Sequence, residues 1–108
     1  MKKCDIWIAA VVCLLERNNA PAHYDKDIKK FVLESNLTTL AEKGLTPGQT
    51  VRSILGSKEV NGHAVFCPEN IGYYSLWFPE EIRQVCEVQE ACDLWKEKRR
   101  EPQEKHND

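Results

Sequence analysis

The stretch that decides the fold reads Thr46-Pro-Gly-Gln-Thr-Val-Arg-Ser-Ile-Leu-Gly-Ser57, followed by His63-Ala-Val-Phe-Cys67, Pro68-Glu-Asn-Ile-Gly72 and Tyr73-Tyr-Ser-Leu-Trp77. A threonine before a proline is a helix start. Thr46 can accept a backbone N–H as N-cap, Pro47 carries a φ already set for the first helical position, and Gln49 can reach back to complete a capping box. Val51, Ile54 and Leu55 recur at i, i+3 and i+4, so one face of a helix over 47–57 is buried. Gln49, Arg52, Ser53, Gly56 and Ser57 are left on the other face, where small and hydrogen-bonding residues suit close approach to a second surface. The residues beyond read as strand, turn, strand. Val65 and Cys67 fall on one face with Ala64 and Phe66 on the other, and Tyr74 and Leu76 alternate against Tyr73 and Ser75.

Upstream, residues 5–18 read as a helix with Asp5 in its favourable N-terminal turn. Its apolar run is nearly continuous, so most of its circumference must be covered by the rest of the domain. Asn18-Asn-Ala-Pro21 ends it, and Ala22-His-Tyr24 is a short extended piece able to pair with the later hairpin. Asp25 caps a second helix over 25–35 with Ile28, Phe31 and Val32 as its core stripe, and Lys26, Lys29 and Lys30 on or beside the opposite face. Asn36 tolerates the left-handed conformation that stops a helix. The connector Leu37 to Leu45 has room for a helical turn around Leu40-Ala41, ended by Gly44.

Downstream, Asn61-Gly62 marks the turn into the first strand of the hairpin, 63–67, which pairs antiparallel with 73–77. Pro79 closes the strand region, and Glu80-Glu81 open a long helix over 80–98 with Ile82, Val85, Val88, Cys92 and Trp95 as an intermittent stripe. Together these elements make a winged helix-turn-helix, mostly α with a small β-hairpin wing (α+β), plus an added C-terminal helix. The expected division is 1–78 for the winged domain, 79–98 for a packing or dimerisation helix, and 99–108 for a frayed charged tail. Ile8, Leu15, Ile28, Phe31, Val32, Val51, Leu55 and Phe66 are expected to be buried together.

At 108 residues the chain fits one domain. Its net charge of −2 gives no overall drive toward nucleic acid or anionic membrane. Residues 1–78 carry +1 and residues 79–108 carry −3. Cys4, Cys13, Cys67, Cys86 and Cys92 form no C-x-x-C pair and are odd in number, which fits a reducing cytoplasm. A zinc site such as His63 with Cys67 lacks ligand pairs of the usual spacing. Lys2-Lys3, the run Ile6 to Leu15 and Ala20-Pro-Ala22 imitate a secretory signal. However, the run is too short to span a membrane, and its removal would take away the longest apolar segment of a small domain. There is no Gly-x-Ser-x-Gly, P-loop or His-Glu-x-x-His, and His23, His63 and His106 are scattered. No independent enzyme, cofactor or small-molecule substrate is expected.

The order of these features resembles the HARE-type winged helix-turn-helix family, found in restriction endonucleases, chromatin regulators and the delta subunit of bacterial RNA polymerase. The resemblance covers about residues 5–77. It rests on Leu14-Leu15-Glu16, Pro21-Ala-His-Tyr24 leading to Ile28, Gly44-Leu-Thr-Pro47 with Thr50-Val-Arg-Ser-Ile-Leu55, and Phe66 with Gly72-Tyr-Tyr-Ser-Leu76. It implies duplex DNA binding through a recognition helix at 47–57, in transcriptional control or beside restriction-modification. Gln49, Arg52, Ser53 and Ser57 would contact base edges and phosphates, with Lys26, Lys29 and Lys30 on the backbone and Lys58 and His63 flanking the wing. Two departures stand out. The wing tip Pro68-Glu-Asn70 carries an acid and no Lys or Arg, and Tyr74-Ser-Leu-Trp-Phe-Pro79 looks like the exit from the wing of the delta subunit, a polymerase-binding module. The alternative is therefore a protein-interaction adaptor of the same fold, touching RNA polymerase or another nucleic-acid-processing complex through Trp77 and Phe78. Residues 80–98 could supply a homodimer contact, and no membrane partner is expected.

Overall fold

The computed structural model describes residues 4–38 and 47–106. The expected turn around Leu40-Ala41, its stop at Gly44 and the Thr46 cap lie outside the described residues. The first helix, α1 (Ile6–Glu16), follows from an apolar run with no polar stripe: Ile6 through Leu14 are all buried. Asp5 precedes it in extended conformation without a side-chain cap bond. Asn18 and Asn19 then turn the chain with positive φ of 57° and 61°. Asn19 also pairs edge-on with a distant backbone: its Nδ2 donates to the Leu76 carbonyl (3.1 Å), and the Leu76 N–H donates to its Oδ1 (2.7 Å). One asparagine thus ends α1 and holds a strand 57 residues away against it.

The extended piece after Pro21 is β1 (Ala22–His23), and it does pair with the later hairpin. The second helix differs from expectation at its start. Tyr24–Lys29 is a π-helical segment that passes directly into α2 (Lys30–Ser35), and its cap is His23 in place of Asp25. The His23 Nδ1 accepts from the Asp25 and Lys26 N–H groups (3.1 and 3.2 Å), while the His23 N–H donates to Asp27 Oδ2 (2.8 Å). This is a capping box with imidazole in the usual hydroxyl's place. Asp25 is instead engaged with the Lys29 ammonium at 2.7 Å. Asn36 closes α2 in the left-handed region as expected, at φ 57°. The carbonyls left over at that end receive Lys98 Nζ, which donates to Ser35 O (3.3 Å) and Asn36 O (3.0 Å).

α3 (Pro47–Ser57) packs on the π-helical segment and on α1, burying Val51 and Leu55. The expected strand 63–67 proves to be two. β2 (Glu59–Val60) and β3 (His63–Ala64) form a tight hairpin across Asn61 and Gly62, both at positive φ as a two-residue turn of this kind requires. The chain then corners at Val65, and β4 (Phe66–Pro68) pairs antiparallel with β5 (Tyr73–Leu76), giving a three-stranded sheet in the order β1-β5-β4. The corner breaks the strict alternation, so Val65 and Phe66 are both buried, as are Ser75 and Leu76.

The helix expected over 80–98 is interrupted. α4 (Pro79–Ile82) ends in two tight i→i+3 bonds, Gln84 N–H to Glu81 O and Val85 N–H to Ile82 O, both 3.1 Å. α5 (Cys86–His106) then takes a new line along α1, with Val88 and Ala91 in the core. Its backbone is helical as far as His106. The whole is an α+β fold of five helices and two small antiparallel sheets among the described residues, sharing one hydrophobic core. Of the expected core, Ile8, Ile28, Val32, Val51, Leu55 and Phe66 are buried. Leu15 and Phe31 are only half-buried, Phe31 lying edge-on to Trp95 with ring centroids 4.9 Å apart. Among the described residues no helix is long and apolar enough to cross a membrane.

Two outcomes are expected from this packing. Leu55→Ala opens a cavity between α3 and α1 and should lower the unfolding free energy by about 2–5 kcal/mol in urea titration. Burial also pushes the Cys13 thiol up to about 12 from an ordinary value near 9, so the folded state holds a proton that the unfolded chain releases. The stability contributed by this group is therefore full below pH 9 and falls as pH rises toward 12, by at most about 1.4 kcal/mol per pH unit. Cys13→Ala should decline more shallowly than the parent over that window.

Candidate nucleic-acid interface

The outward face of α3 is set by its buried one. With Val51 and Leu55 turned inward, Gln49, Arg52, Ser53, Gly56 and Ser57 are exposed, as the sequence spacing predicts. Residues 47–58 contain no Asp or Glu, in a chain with 17 carboxylate side chains. The N-terminal turn of α3 comes close to the π-helical segment because position 48 is glycine. A Cβ there would lie 3.2 Å from Asp25 Oδ1 and 3.9 Å from Lys29 Cδ. The Asp25 carboxylate is thereby held near the positive end of the α3 dipole. The hydrogen bond from Lys29 keeps its carboxyl below the usual range.

Arg52 does not swing free. Its guanidinium carbon lies 5.6 Å from the centre of the Tyr24 ring, within reach of a cation–π contact. Tyr24 stacks on His23 (4.7 Å, 28° between planes), and His23 meets Tyr73 edge-on (5.2 Å, 78°). The Tyr24 N–H donates to the Gly72 carbonyl at 2.8 Å. A row of rings thus joins the arginine of α3 to the hairpin between β4 and β5. The sequence reading missed His23 and Tyr24 because it placed Ala22-His-Tyr24 only as an extended piece, and Tyr73 because it placed that residue only in the second strand of the hairpin. The signal was the proximity of two tyrosines and a histidine to paired strands, but the π-helical turn that brings Tyr24 under Arg52 has no sequence signature.

The other expected site residues divide. Lys26 is exposed on the π-helical segment that α3 packs against, and Lys30 is exposed at the start of α2. Lys29 is committed to Asp25. The Ser57 hydroxyl donates to the Ser53 carbonyl (2.8 Å), so its proton is used within the helix. Lys58 is half-buried with its ammonium 4.7 Å from the centre of the Trp7 ring, on the α1 side of α3. His63 is exposed on the small hairpin, edge-on to Phe78 at 6.0 Å. Neither of these last two contacts the Arg52–Tyr24 row through its ring or cation. Trp77 and Phe78 are 51 % and 48 % exposed, and Phe78 borders a groove of about 80 Å³ with Val60, His63, Ala64, Val65 and Ile82. The tip of the β4–β5 hairpin carries an isoleucine, Ile71, that is 98 % exposed.

The junction of tip and helix rests on Gly72. Its φ is +81°, and a Cβ would stand 2.9 Å from His23 Nε2. Gly72→Ala should cost about 1–3 kcal/mol through left-handed strain and displacement of the capping imidazole. Gly56 has open space around it on a helix, so Gly56→Ala should stabilise by up to about 1 kcal/mol. Thermal melts of the two variants should therefore move in opposite directions.

Compared with protein-family models, with curated proteins and with solved structures, the chain gives no match.

Proposed function

We propose that this chain is a winged helix-turn-helix protein of the HARE type that binds duplex DNA, with α3 as the recognition helix and the β4–β5 hairpin as the wing. The observation that carries the reading is the outer face of α3, whose own residues include no carboxylate, with Arg52 held over Tyr24. A guanidinium laid on a ring is pre-oriented, so less rotamer freedom is lost when its fork meets the O6 and N7 of a guanine. Gln49 and Ser53 flank it on the same face. Lys26 and Lys30 fix register on the phosphates. Lys29 contributes less, because Asp25 already neutralises it at 2.7 Å. With a net charge of −2, binding is weak at physiological salt and strong only at low ionic strength. A cytoplasmic role in transcriptional control or beside restriction-modification follows from the resemblance. A homodimer through 80–98 would use the outward side of α5, since Val88 and Ala91 are buried within the chain.

A second reading is favoured by one observation, the half-exposed Trp77 and Phe78, of which Phe78 borders a mostly apolar groove. Aromatic residues of this exposure are common anchors of protein interfaces. In that case the fold serves as an adaptor that docks a protein such as RNA polymerase.

Fluorescence anisotropy with labelled duplexes across a salt series separates the two. Arg52→Ala should weaken a preferred site by about 1–3 kcal/mol and flatten sequence preference. Lys30→Ala should weaken all duplexes alike and make the log–log salt slope shallower by about 0.9. Lys29→Ala should act differently again, since it leaves the Asp25 carboxylate unpaired on the face. Absence of duplex binding at low salt would reject the DNA reading in favour of the adaptor.

A further inference from the structure

Ile71 is the most exposed large hydrophobic residue described in the chain, at 98 %. It occupies the apex of the wing. The Tyr73 N–H donates to the Asn70 carbonyl (2.9 Å), so Ile71 and Gly72 are the two central residues of a β-turn. Gly72 supplies the positive φ that a type II turn demands at its third position. A β-branched apolar side chain at the second position has nothing beneath it to pack on.

The seat of this side chain is rigid. The Gly72 carbonyl accepts from the Tyr24 N–H, and a Cβ at this position would meet the His23 ring. Through Tyr24 the turn is one ring away from Arg52. The wing apex is thus continuous with the outer face of α3. Residues 59–82 contain no Lys or Arg, so this wing has no cation with which to hold a phosphate. Its nearest acid is withdrawn, because the Ser75 hydroxyl donates to the Glu69 carboxylate and ties it back along the strand. What remains at the apex is one hydrocarbon point beside the amide of Asn70.

We propose that Ile71 is an apolar wedge that enters the minor groove beside the site read by α3 and partly unstacks a base step there. The inference rests on the DNA reading above and deepens it. Isoleucine is among the side chains that open base steps in this way, and Asn70 beside it can bond to the acceptors of an A·T minor-groove edge. Pyrimidine–purine steps such as TA yield most easily, so the wedge supplies preference for a flexible step next to the site that Arg52 reads. The duplex bends toward the major groove around the point of insertion.

The test uses the full chain with a set of duplexes carrying 2-aminopurine at TA steps, read by fluorescence at saturating protein, with bending followed by end-to-end energy transfer. The expected result is a rise in 2-aminopurine emission and a shortened end-to-end distance for the parent. Both should be lost in Ile71→Ala and restored in Ile71→Leu, while thermal melts of the variants match the parent. Arg52→Ala should need more protein to saturate but still give the emission rise. Binding without any emission change or bend would overturn the wedge and leave the DNA reading standing. The same holds if Ile71→Ala retains both signals. No binding to any duplex at low salt would overturn the DNA reading and the wedge together.

Discussion

A helix with no polar face imposes itself on everything around it. Nine consecutive residues of α1, Ile6 to Leu14, are buried, and no packing against a single neighbour can bury a full circumference. The rest of the chain is therefore arranged as a sleeve: α2, α3 and α5 lie against α1, and β5 reaches it from another side. The C-terminal helix belongs to this sleeve. Without Val88 and Ala91 one side of α1 would be wet, at about 1.5–3 kcal/mol for each large aliphatic side chain left uncovered. The break between α4 and α5 follows from the same demand, since a straight continuation from Pro79 would not take the line along α1 that α5 does.

Within that sleeve the turns are few and specified. Asn18, Asn19, Asn36, Asn61, Gly62 and Gly72 carry all the positive φ angles recorded among the described residues. Three of the asparagines end or follow helices and one opens a hairpin. His23 is the joint between the two halves of the proposed interface. Its Nδ1 caps the segment that carries Lys26, and its other edge is pressed against Gly72. The β4–β5 hairpin and the π-helical segment consequently share one side chain and are expected to move as a unit.

The elements set by short-range chemistry were legible in the sequence. The periodic stripe Val51, Ile54 and Leu55 placed the outer face of α3, Asn36 stopped α2, and Asn61-Gly62 turned the chain where expected. What escaped was decided by tertiary competition. Asp25 has a good N-cap side chain, but Lys29 four residues on claims its carboxylate, and the imidazole two residues earlier takes over the cap. The run 63–67 alternates like one strand, yet its first two residues pair backward with β2 while Phe66 and Cys67 pair forward with β5. No local pattern distinguishes those partners. The Asn19–Leu76 pairing and the Arg52–Tyr24 contact join residues far apart in the chain, so neither could be read from spacing.

The sleeve around α1 also has an order in time. Synthesis makes α1 before β5 and α5, which cover two of its sides. Until those later elements emerge, the nascent chain displays an apolar segment that is not yet fully enclosed. Contacts of this sequence separation carry a large loop-closure cost and form late. The same helix that organises the finished protein is thus the segment whose exposure during synthesis favours aggregation until α5 docks.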